Sequence, residues 1–355
     1  MNGGSQAFSS PTSYEVGTAP RAVATGDVNN DGFIDMVLAN TGSNTVSILL
    51  GTGDGTFLPA TSRFSGGLKP VALTLGDFTG DGNLDIAVVN RGSNAVNILT
   101  GTGIGTFRPG AVVAVAEGAN AIEAGNLDSD ADLDLAVTSA ATNQVNILLN
   151  AGVGVFATAV QVPTRGQVPR DLVIADFNGD GNTDLAIANS GTHNVGLLLG
   201  SATGVFTPTA KFKVGDRPTS LAVADFNGDG SLDVAVSHAV SRFVSILLGS
   251  GSTTGPVFDQ QLRIAYGTPI APAAIATGDF NADGIADLAL AGGRRSSFTI
   301  ALGLGNGTFS TATNFPLLSF PVALALADFD GNGALDIALA NVGSNEVTVA
   351  LRAIV

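Results

Sequence analysis

The chain has 355 residues, a formal net charge of −15 and no cysteine, which excludes disulfides, thiolate metal sites and cysteine catalysis. No apolar run approaches the roughly 20 residues of a membrane-spanning helix, so we expect no membrane insertion. The acidic balance argues against a nucleic-acid partner, because such a partner requires a large basic footprint.

One nonapeptide pattern, D-x-[DN]-x-[DN]-G-x-x-D, recurs seven times in register, and its first copy is residues 27–35. The copies begin at Asp27, Asp77, Asn126, Asp176, Asp225, Asp279 and Asp328. A period near 50 residues along the whole chain indicates one stacked architecture over residues 1–355 rather than several domains. A single repeat of this kind cannot bury its apolar face without a neighbour.

The predicted elements follow the same order in every repeat. In the first repeat, a small-residue strand at 22–26 leads into the nonapeptide, and an apolar strand follows at 36–39. A third strand at 46–50 then precedes a glycine-rich turn ending in Phe57 and a more polar fourth strand. Short apolar runs bounded by turn signals are typical of strands buried on both faces. Four strands per repeat predict an all-β, seven-bladed β-propeller with four-stranded antiparallel blades.

The two ends of the chain are complementary parts of one repeat. The last repeat stops after its third strand, whereas the chain begins with an extra fourth-type strand in which Phe8 corresponds to Phe57. We therefore expect residues 6–16 to complete the last blade and to remove two open sheet edges. An open solenoid would instead require distinct polar caps. The expected blades span about 20–63, 70–113, 120–162, 169–214, 218–264, 272–315, and 321–352 with 6–16.

The repeated nonapeptide also places oxygen atoms at alternate positions of a tight loop. Side chains at positions 1, 3, 5 and 9 and the carbonyl at position 7 form the expected ligand set, and glycine at position 6 permits a positive φ. Oxygen ligands with three carboxylates favour Ca²⁺ over zinc, copper or magnesium. An interpretation as ordinary turns would leave 21 of the 30 acidic residues unexplained. We predict up to seven Ca²⁺ sites.

The expected metal ligands belong to positions 1, 3, 5, 7 and 9 of each loop. They are Asp27, Asn29, Asp31, Phe33, Asp35; Asp77, Thr79, Asp81, Asn83, Asp85; Asn126, Asp128, Asp130, Asp132, Asp134; Asp176, Asn178, Asp180, Asn182, Asp184; Asp225, Asn227, Asp229, Ser231, Asp233; Asp279, Asn281, Asp283, Ile285, Asp287; and Asp328, Asp330, Asn332, Ala334, Asp336. The third site is expected to be the weakest. Asn126 replaces a carboxylate there, and Ala131 would adopt the glycine conformation at a cost of roughly 1 kcal/mol.

At these loops the chain resembles the FG-GAP/VCBS repeat family, which includes the propeller of integrin α subunits and a fungal integrin-like lectin. The resemblance covers essentially the whole chain. It implies a seven-bladed propeller with Ca²⁺ between the first two strands of a blade, an extracellular or cell-surface setting, and a role in adhesion or ligand binding. Integrins keep only some of these loops, whereas nearly every repeat has one here. Residues 1–4 lack the features of a signal peptide, so we expect none in this sequence.

We interpret the chain as a binding module and not an enzyme. His193 and His238 lie in different repeats, where we interpret both as solvated turn residues, and no G-x-S-x-G nucleophile motif is present. A lectin-like carbohydrate-binding propeller is the alternative function, although the chain lacks tryptophan and has only Tyr14 and Tyr266 as tyrosines. A polysaccharide-acting enzyme is the less favoured third possibility.

Basic residues gather on the face expected to lie opposite the metal loops. The entries to the innermost strands carry Arg21, Lys69, Arg170 and Arg217, which we expect at one repeat position around the axis. Turns on the same face add Arg91, Arg242, Arg294 and Arg295. Solubilising charge is the simpler interpretation. The functional interpretation is a monomer whose basic face binds acidic glycans or carboxylate-bearing proteins.

Overall fold

The computed structural model describes residues 8–253, 257–265, 272–292 and 296–353. These residues form 28 β-strands in seven four-stranded antiparallel sheets, and they contain no helix that could span a membrane. Each sheet is one blade. Its four strands follow one another in the chain in six blades, and the seventh blade combines the two ends of the chain.

The strands are numbered in chain order and grouped by blade. Blade 1 contains β2 (Pro20–Gly26), β3 (Asp35–Asn40), β4 (Thr45–Leu49) and β5 (Thr61–Phe64); blade 2 contains β6 (Pro70–Gly76), β7 (Asp85–Asn90), β8 (Ala95–Gly101) and β9 (Phe107–Ala114). Blade 3 contains β10 (Ala119–Gly125), β11 (Asp134–Ser139), β12 (Gln144–Leu148) and β13 (Val160–Pro163); blade 4 contains β14 (Pro169–Ala175), β15 (Asp184–Asn189), β16 (Asn194–Leu199) and β17 (Thr207–Lys213). Blade 5 contains β18 (Pro218–Ala224), β19 (Asp233–His238), β20 (Phe243–Gly249) and β21 (Phe258–Ala265); blade 6 contains β22 (Ala274–Gly278), β23 (Asp287–Ala291), β24 (Ser297–Ala301) and β25 (Thr313–Pro316). Blade 7 contains β26 (Pro321–Ala327), β27 (Asp336–Asn341), β28 (Glu346–Ala350) and β1 (Thr12–Glu15).

The innermost strands of the blades form a closed ring. Each contacts its two neighbours in the order β2, β6, β10, β14, β18, β22 and β26, and β26 contacts β2 again. This arrangement confirms the predicted seven-bladed β-propeller. Closure also explains the small residues on these strands, because seven strands converge around one axis and leave little room for bulky side chains.

The N-terminal strand completes the last blade, as the sequence predicts. β1 pairs antiparallel with β28, with Thr12 opposite Val349 and Glu15 opposite Glu346. Phe8 extends the pairing through a bridge to Arg352. Residues 6 and 7, which were also expected in this segment, lie outside the described part of the chain. The edge of β28 is thereby covered within the same molecule.

The second strand of each blade forms its most buried layer. All six residues of β3, β7, β11, β15, β19 and β27 are buried. Such a strand has paired strands on both sides and an adjacent blade against each face, so its continuous apolar run has no contact with water. The residues of the fourth strands are mostly exposed or half-buried, as in β17, because one edge of each of these strands faces solvent.

Both histidines form hydrogen bonds within the fold, and one of them does not lie in a turn. His238 is the last residue of β19 and is fully buried, where its Nε2 lies 3.0 Å from the hydroxyl of Ser245. Asn40 and Asn90 end β3 and β7 at the equivalent position. His193 does lie in a turn, but its Nδ1 accepts a 2.9 Å hydrogen bond from the amide of Arg217. Between blades 1 and 2, the side chain of Asn44 accepts the equivalent hydrogen bond from the amide of Lys69.

Candidate metal loops and basic channel

The seven nonapeptides connect the first and second strands of their blades, at one end of the ring of innermost strands. The carboxylate at position 1 organises the turn. In the first loop, Asp27 Oδ2 accepts a 2.8 Å hydrogen bond from the amide of Gly32 at position 6. Glycines occupy position 6 in six loops, where φ lies between 81° and 86°. That conformation disfavours any residue with a Cβ.

Position 4 imposes a second left-handed conformation that the sequence analysis missed. Its φ is 59° at Asn30, 65° at Ser129 and 57° at Ala282, and glycine occupies the position in the other four loops with φ between 69° and 75°. Asparagine tolerates this region better than most residues do. The sequence signal that predicts this conformation is the recurrence of glycine or asparagine at position 4 of the loops.

The carboxylate at position 9 is fully buried and connects two parts of the blade. Asp35 Oδ2 accepts a 2.9 Å hydrogen bond from the amide of Val28, and Asp35 Oδ1 accepts a 2.7 Å bond from the amide of Gly51. All seven loops repeat both bonds, to the amide at position 2 and to the amide sixteen residues beyond the aspartate. Burial raises the pKa of Asp35 to about 6, against the lowering effect of the two amides.

The structure brings three carboxylates together most closely in the seventh loop. Carboxylate oxygens of Asp328, Asp330 and Asp336 all lie within 4.8 Å of one another, and no other set of three in the described ranges does so. The other loops carry their second aspartate at position 5. In the first loop, for example, Asp31 accepts hydrogen bonds from the amide of Phe33 at 2.9 Å and from the side chain of Asn29 at 2.8 Å.

The loops offer a donor set that suits a hard divalent cation. Their side chains supply carboxylate, amide and hydroxyl oxygens, and no thiol or imidazole. Among the described residues no loop carboxylate lies within salt-bridge distance of a lysine or arginine. Clustered carboxylates that lack a basic partner repel one another, and a bound Ca²⁺ would remove that repulsion. The residues therefore fit Ca²⁺, which positions 1, 3, 5, 7 and 9 would hold.

The third loop takes a different path from the one expected. Ala131 does not adopt the positive φ of the position-6 glycines. Asn126 still accepts a 2.7 Å hydrogen bond from the position-4 amide, as Asp77, Asp176 and Asp225 do, but it also donates through Nδ2 to the carbonyl of Asp130. The expected strain at Ala131 is thus wrong. The chain avoids the strain and loses the bond between positions 1 and 6 that the other six loops share.

Each loop is also held by the blade that follows it. The amide of Gly105 in blade 2 donates a 3.1 Å hydrogen bond to the carbonyl of Val28 in the first loop. In blade 4, the buried ring of Phe177 at position 2 packs against Phe258 of blade 5, with centroids 5.5 Å apart. The position-2 side chains therefore act as anchors between blades, and ordering of a loop stabilises the contact with its neighbour.

The opposite end of the ring opens into a cavity of about 730 Å³. It is lined by Arg21, Lys69, Arg91, Arg170 and Arg217, and we call this cavity the basic channel. The four basic residues predicted from the strand entries thus share one cavity. They occupy two repeat positions, not the single one expected: Lys69 and Arg217 precede the strand-initial proline, whereas Arg21 and Arg170 follow it.

Within the described ranges none of the five cations of the basic channel lies within salt-bridge distance of a carboxylate, although Asp171 lines the same cavity. Burial lowers the pKa of Arg170, and the charges of Arg91, Arg217 and Arg21 lower it further. The chain has only 15 basic residues, so a third of them repel one another around a single cavity. Arg294 and Arg295, assigned to this face from the sequence, lie outside the described residues.

Two acidic residues, one in the channel lining and one next to it, were not singled out in the sequence. Asp171 lines the cavity, and Glu123 lies on β10 two residues beyond Ala121, which also lines it. Side chains two residues apart on a strand share one face, so Glu123 points the same way as Ala121. The sequence did carry a signal for Glu123, namely a carboxylate within an innermost strand. The equivalent residue of blade 2 is the uncharged Thr74.

Solved structures of several different proteins share this fold. The BBS1N domain in complex with ARL6DN has 14% sequence identity to this chain and a TM-score of 0.66, covering 98% of this chain and 97% of that one. Virginiamycin B lyase from Staphylococcus aureus has 15% identity and a TM-score of 0.65, covering 97% and 99%. An Agrocybe aegerita lectin that recognises non-reducing terminal N-acetylglucosamine has 17% identity and a TM-score of 0.57, covering 99% and 96%. At these identities the likeness is one of fold alone.

Comparison with curated protein sequences gives no match. The FG-GAP-like repeat profile matches the chain five times, at residues 27–88, 77–137, 126–187, 176–236 and 279–339. Each match begins at a nonapeptide and extends into the second strand of the next blade. The matches together cover most of the chain, and they confirm the resemblance seen in its loops. The chain therefore belongs to the FG-GAP-like repeat family.

Proposed function

We propose that this propeller is a calcium-stabilised binding module that works outside the cell or at its surface and has no catalytic activity. Its ligand binds at the basic channel, on the face opposite the metal loops. The observation that supports this proposal is the convergence of five cations on one cavity, none of them in a salt bridge among the described residues, in a chain of net charge −15. Such repulsion costs free energy in the folded state, and an anionic ligand offsets it.

The extracellular setting follows from the type of metal loop. Loops of extracellular modules typically bind Ca²⁺ at about 10⁻⁴–10⁻³ M, a concentration that the cytosol does not supply. Ca²⁺ would order the loops, and the loops would fix adjacent blades through contacts such as that of Gly105 with Val28. A rigid ring of blades would then hold the five cations around the channel.

Adhesion to a protein or glycan is the role that this arrangement suits. Solved proteins of the same fold include one in complex with a protein and one that recognises a sugar. Charge steering accelerates the encounter with an anionic partner and weakens with salt. We therefore expect a monomeric module whose affinity for its ligand falls as ionic strength rises.

The test is a fourfold substitution to serine of Arg21, Lys69, Arg170 and Arg217. Binding to acidic polysaccharides and to matrix proteins is measured by biolayer interferometry in millimolar Ca²⁺, at low and high salt. We expect at least tenfold weaker binding and a smaller salt dependence. A control variant removes the same charge from exposed residues outside the channel, at Arg108, Arg165, Lys211 and Lys213. Equal binding by the two variants at low salt would reject the channel as the ligand site.

A further inference from the structure

The acidic residues of the basic channel retain unused hydrogen-bonding capacity. Asp171 Oδ1 accepts a 3.0 Å hydrogen bond from the amide of Leu172, and its Oδ2 accepts a 2.9 Å bond from the amide of Leu221 in the next blade. Each carboxylate oxygen can accept more than one hydrogen bond. Asp171 therefore connects two blades and still presents acceptors to the cavity that it lines.

Glu123 lies close to Asp171 and has no hydrogen-bond donor of its own among the described residues. Burial raises the pKa of Glu123 to about 8, and the charge of Asp171 contributes to the same shift. At neutral pH the Glu123 carboxyl group keeps its proton, so it can both donate and accept a hydrogen bond. Asp171 in the cavity lining and Glu123 on the neighbouring innermost strand thus make one side of the cationic channel acidic.

The remaining lining is small and rich in hydroxyl groups. It includes Thr41, Asn120, Ser190, Thr219 and Ser220, and no aromatic residue belongs to the described part of the lining. A volume of about 730 Å³ falls in the range of small-molecule sites, roughly 300–1,000 Å³. The described lining therefore offers charge and hydrogen bonds, and no ring on which a neutral sugar could stack.

We infer that the basic channel binds the terminal acidic sugar of a glycan, inserted end-on with its anionic group among the cations and its hydroxyls against Asp171 and Glu123. This inference rests on the proposed function and names its ligand class. An inorganic anion would match the cations but leave the acidic side without partners. A neutral sugar would leave the cations unmatched, and the side chain of a protein carboxylate carries no hydroxyl groups for that side.

Titration calorimetry with simple probes tests this inference in millimolar Ca²⁺ at low salt. The probes are methyl glucuronide, methyl glucoside, sulfate and L-serine, which separate an acidic sugar from a neutral sugar, an inorganic anion and a zwitterion. We expect the glucuronide to bind the parent protein at least tenfold more tightly than each of the other three. Polyanion binding by the same sample, measured as above, reports separately on the proposed function.

Two variants assign the two halves of the site. Arg170→Gln with Arg217→Gln should weaken glucuronide binding at least tenfold. Glu123→Thr, which introduces the residue that Thr74 provides at the same place in blade 2, should weaken it about fivefold and leave sulfate binding unchanged. Glu123→Gln serves as the isosteric version if the threonine variant is unstable. Lys211→Gln with Lys213→Gln is the control, and it should match the parent.

Each outcome decides for or against the inference. Sulfate, serine or glucoside binding as tightly as glucuronide would overturn it, and so would Glu123 variants that bind glucuronide like the parent. In those cases polyanions that still require the channel arginines would leave the proposed function standing. If neither the glucuronide nor any polyanion depends on those arginines, both proposals fail together.

Discussion

The ring of Phe8 packs edge-on against the ring of Phe315, with centroids 4.9 Å apart. Phe8 also lies 5.1 Å from Phe298 and 6.4 Å from Phe280, the position-2 residue of the sixth loop. The contact of Phe8 with Phe280 is thus equivalent to the contact of Phe258 with Phe177 between blades 4 and 5. The N-terminal segment contributes both a strand to blade 7 and an aromatic anchor to blade 6.

Deleting residues 1–16 should open the ring. The deletion removes β1 and Phe8, leaves the edge of β28 unpaired and exposes the apolar face of blade 6. We expect a melting temperature at least 10 °C lower, together with concentration-dependent association. Calorimetry and light scattering measure the two effects. A deletion of residues 1–7, which keeps Phe8 and β1, is the control, and an equal loss in both would contradict the role of closure.

Chelation should destabilise the protein through the repulsion of its loop carboxylates. A ligand that binds only the folded state contributes about 2.7 kcal/mol per site at a hundredfold excess over its Kd, so seven coupled sites are worth several times that amount. We expect a lower melting temperature in chelator and its recovery with Ca²⁺ but not with Mg²⁺. An unchanged melting temperature in chelator would show that Ca²⁺ does not stabilise the fold.

The buried and exposed aspartates of one loop should differ in their dependence on metal. Asp184 accepts amide hydrogen bonds from Phe177 at 3.0 Å and Gly200 at 2.9 Å, which are present without an ion. Asp184→Asn leaves one of these buried amides unsatisfied and should cost about 1–3 kcal/mol both with and without Ca²⁺. Asp180→Asn changes an exposed position-5 residue and should reduce only the stability added by Ca²⁺. Denaturant midpoints in Ca²⁺ and in chelator separate the two, and identical behaviour would refute the distinction.

Burial of His238 should make the fold sensitive to mild acid. Burial lowers the pKa of His238 to about 4, against an ordinary value of 6.5. The neutral ring therefore contributes stability that is complete above pH 6.5 and is lost as pH falls toward 4, about 2 kcal/mol of it by pH 5. His238→Asn introduces the asparagine that Asn40 and Asn90 provide at the same place in blades 1 and 2. At each acidic pH this variant should lose less stability than the parent. His193→Asn is the control, and a parallel pH profile for all three proteins would exclude His238 as the cause.

The repeat made the fold predictable, because a fixed period, four strand signals and complementary ends leave few arrangements. The hydrogen bonds at the buried ends of the loops were harder to predict from the sequence. Asp35 was assigned as a ligand, but nothing in the sequence indicates its bond to Gly51, since that partner becomes adjacent only when the blade folds. The channel shows the same limit. Arg170 was predicted from its strand entry, whereas Asp171 and Glu123 come together only when the innermost strands of blades 3 and 4 pack side by side.

The third loop should be the weakest metal site, and its defect should be reversible. Asn126 lacks a carboxylate, and Ala131 does not take the conformation that brings the position-6 amide onto the first ligand. The pair Asn126→Asp and Ala131→Gly restores both features. It should tighten Ca²⁺ binding at this loop at least tenfold, seen as one additional ion bound at limiting Ca²⁺ in native mass spectrometry.

The reciprocal pair in the fourth loop, Asp176→Asn and Gly181→Ala, should remove one ion under the same conditions. Gly181 has a φ of 85° and its amide bonds Asp176 Oδ2 at 2.9 Å, so alanine there either strains the turn by roughly 1 kcal/mol or abandons the bond. Both exchanges alter the charge of their loop by one unit, in opposite directions. If the fourth-loop pair loses its ion while the third-loop pair gains none, the weakness of the third site lies outside positions 1 and 6, and the explanation given for it is wrong.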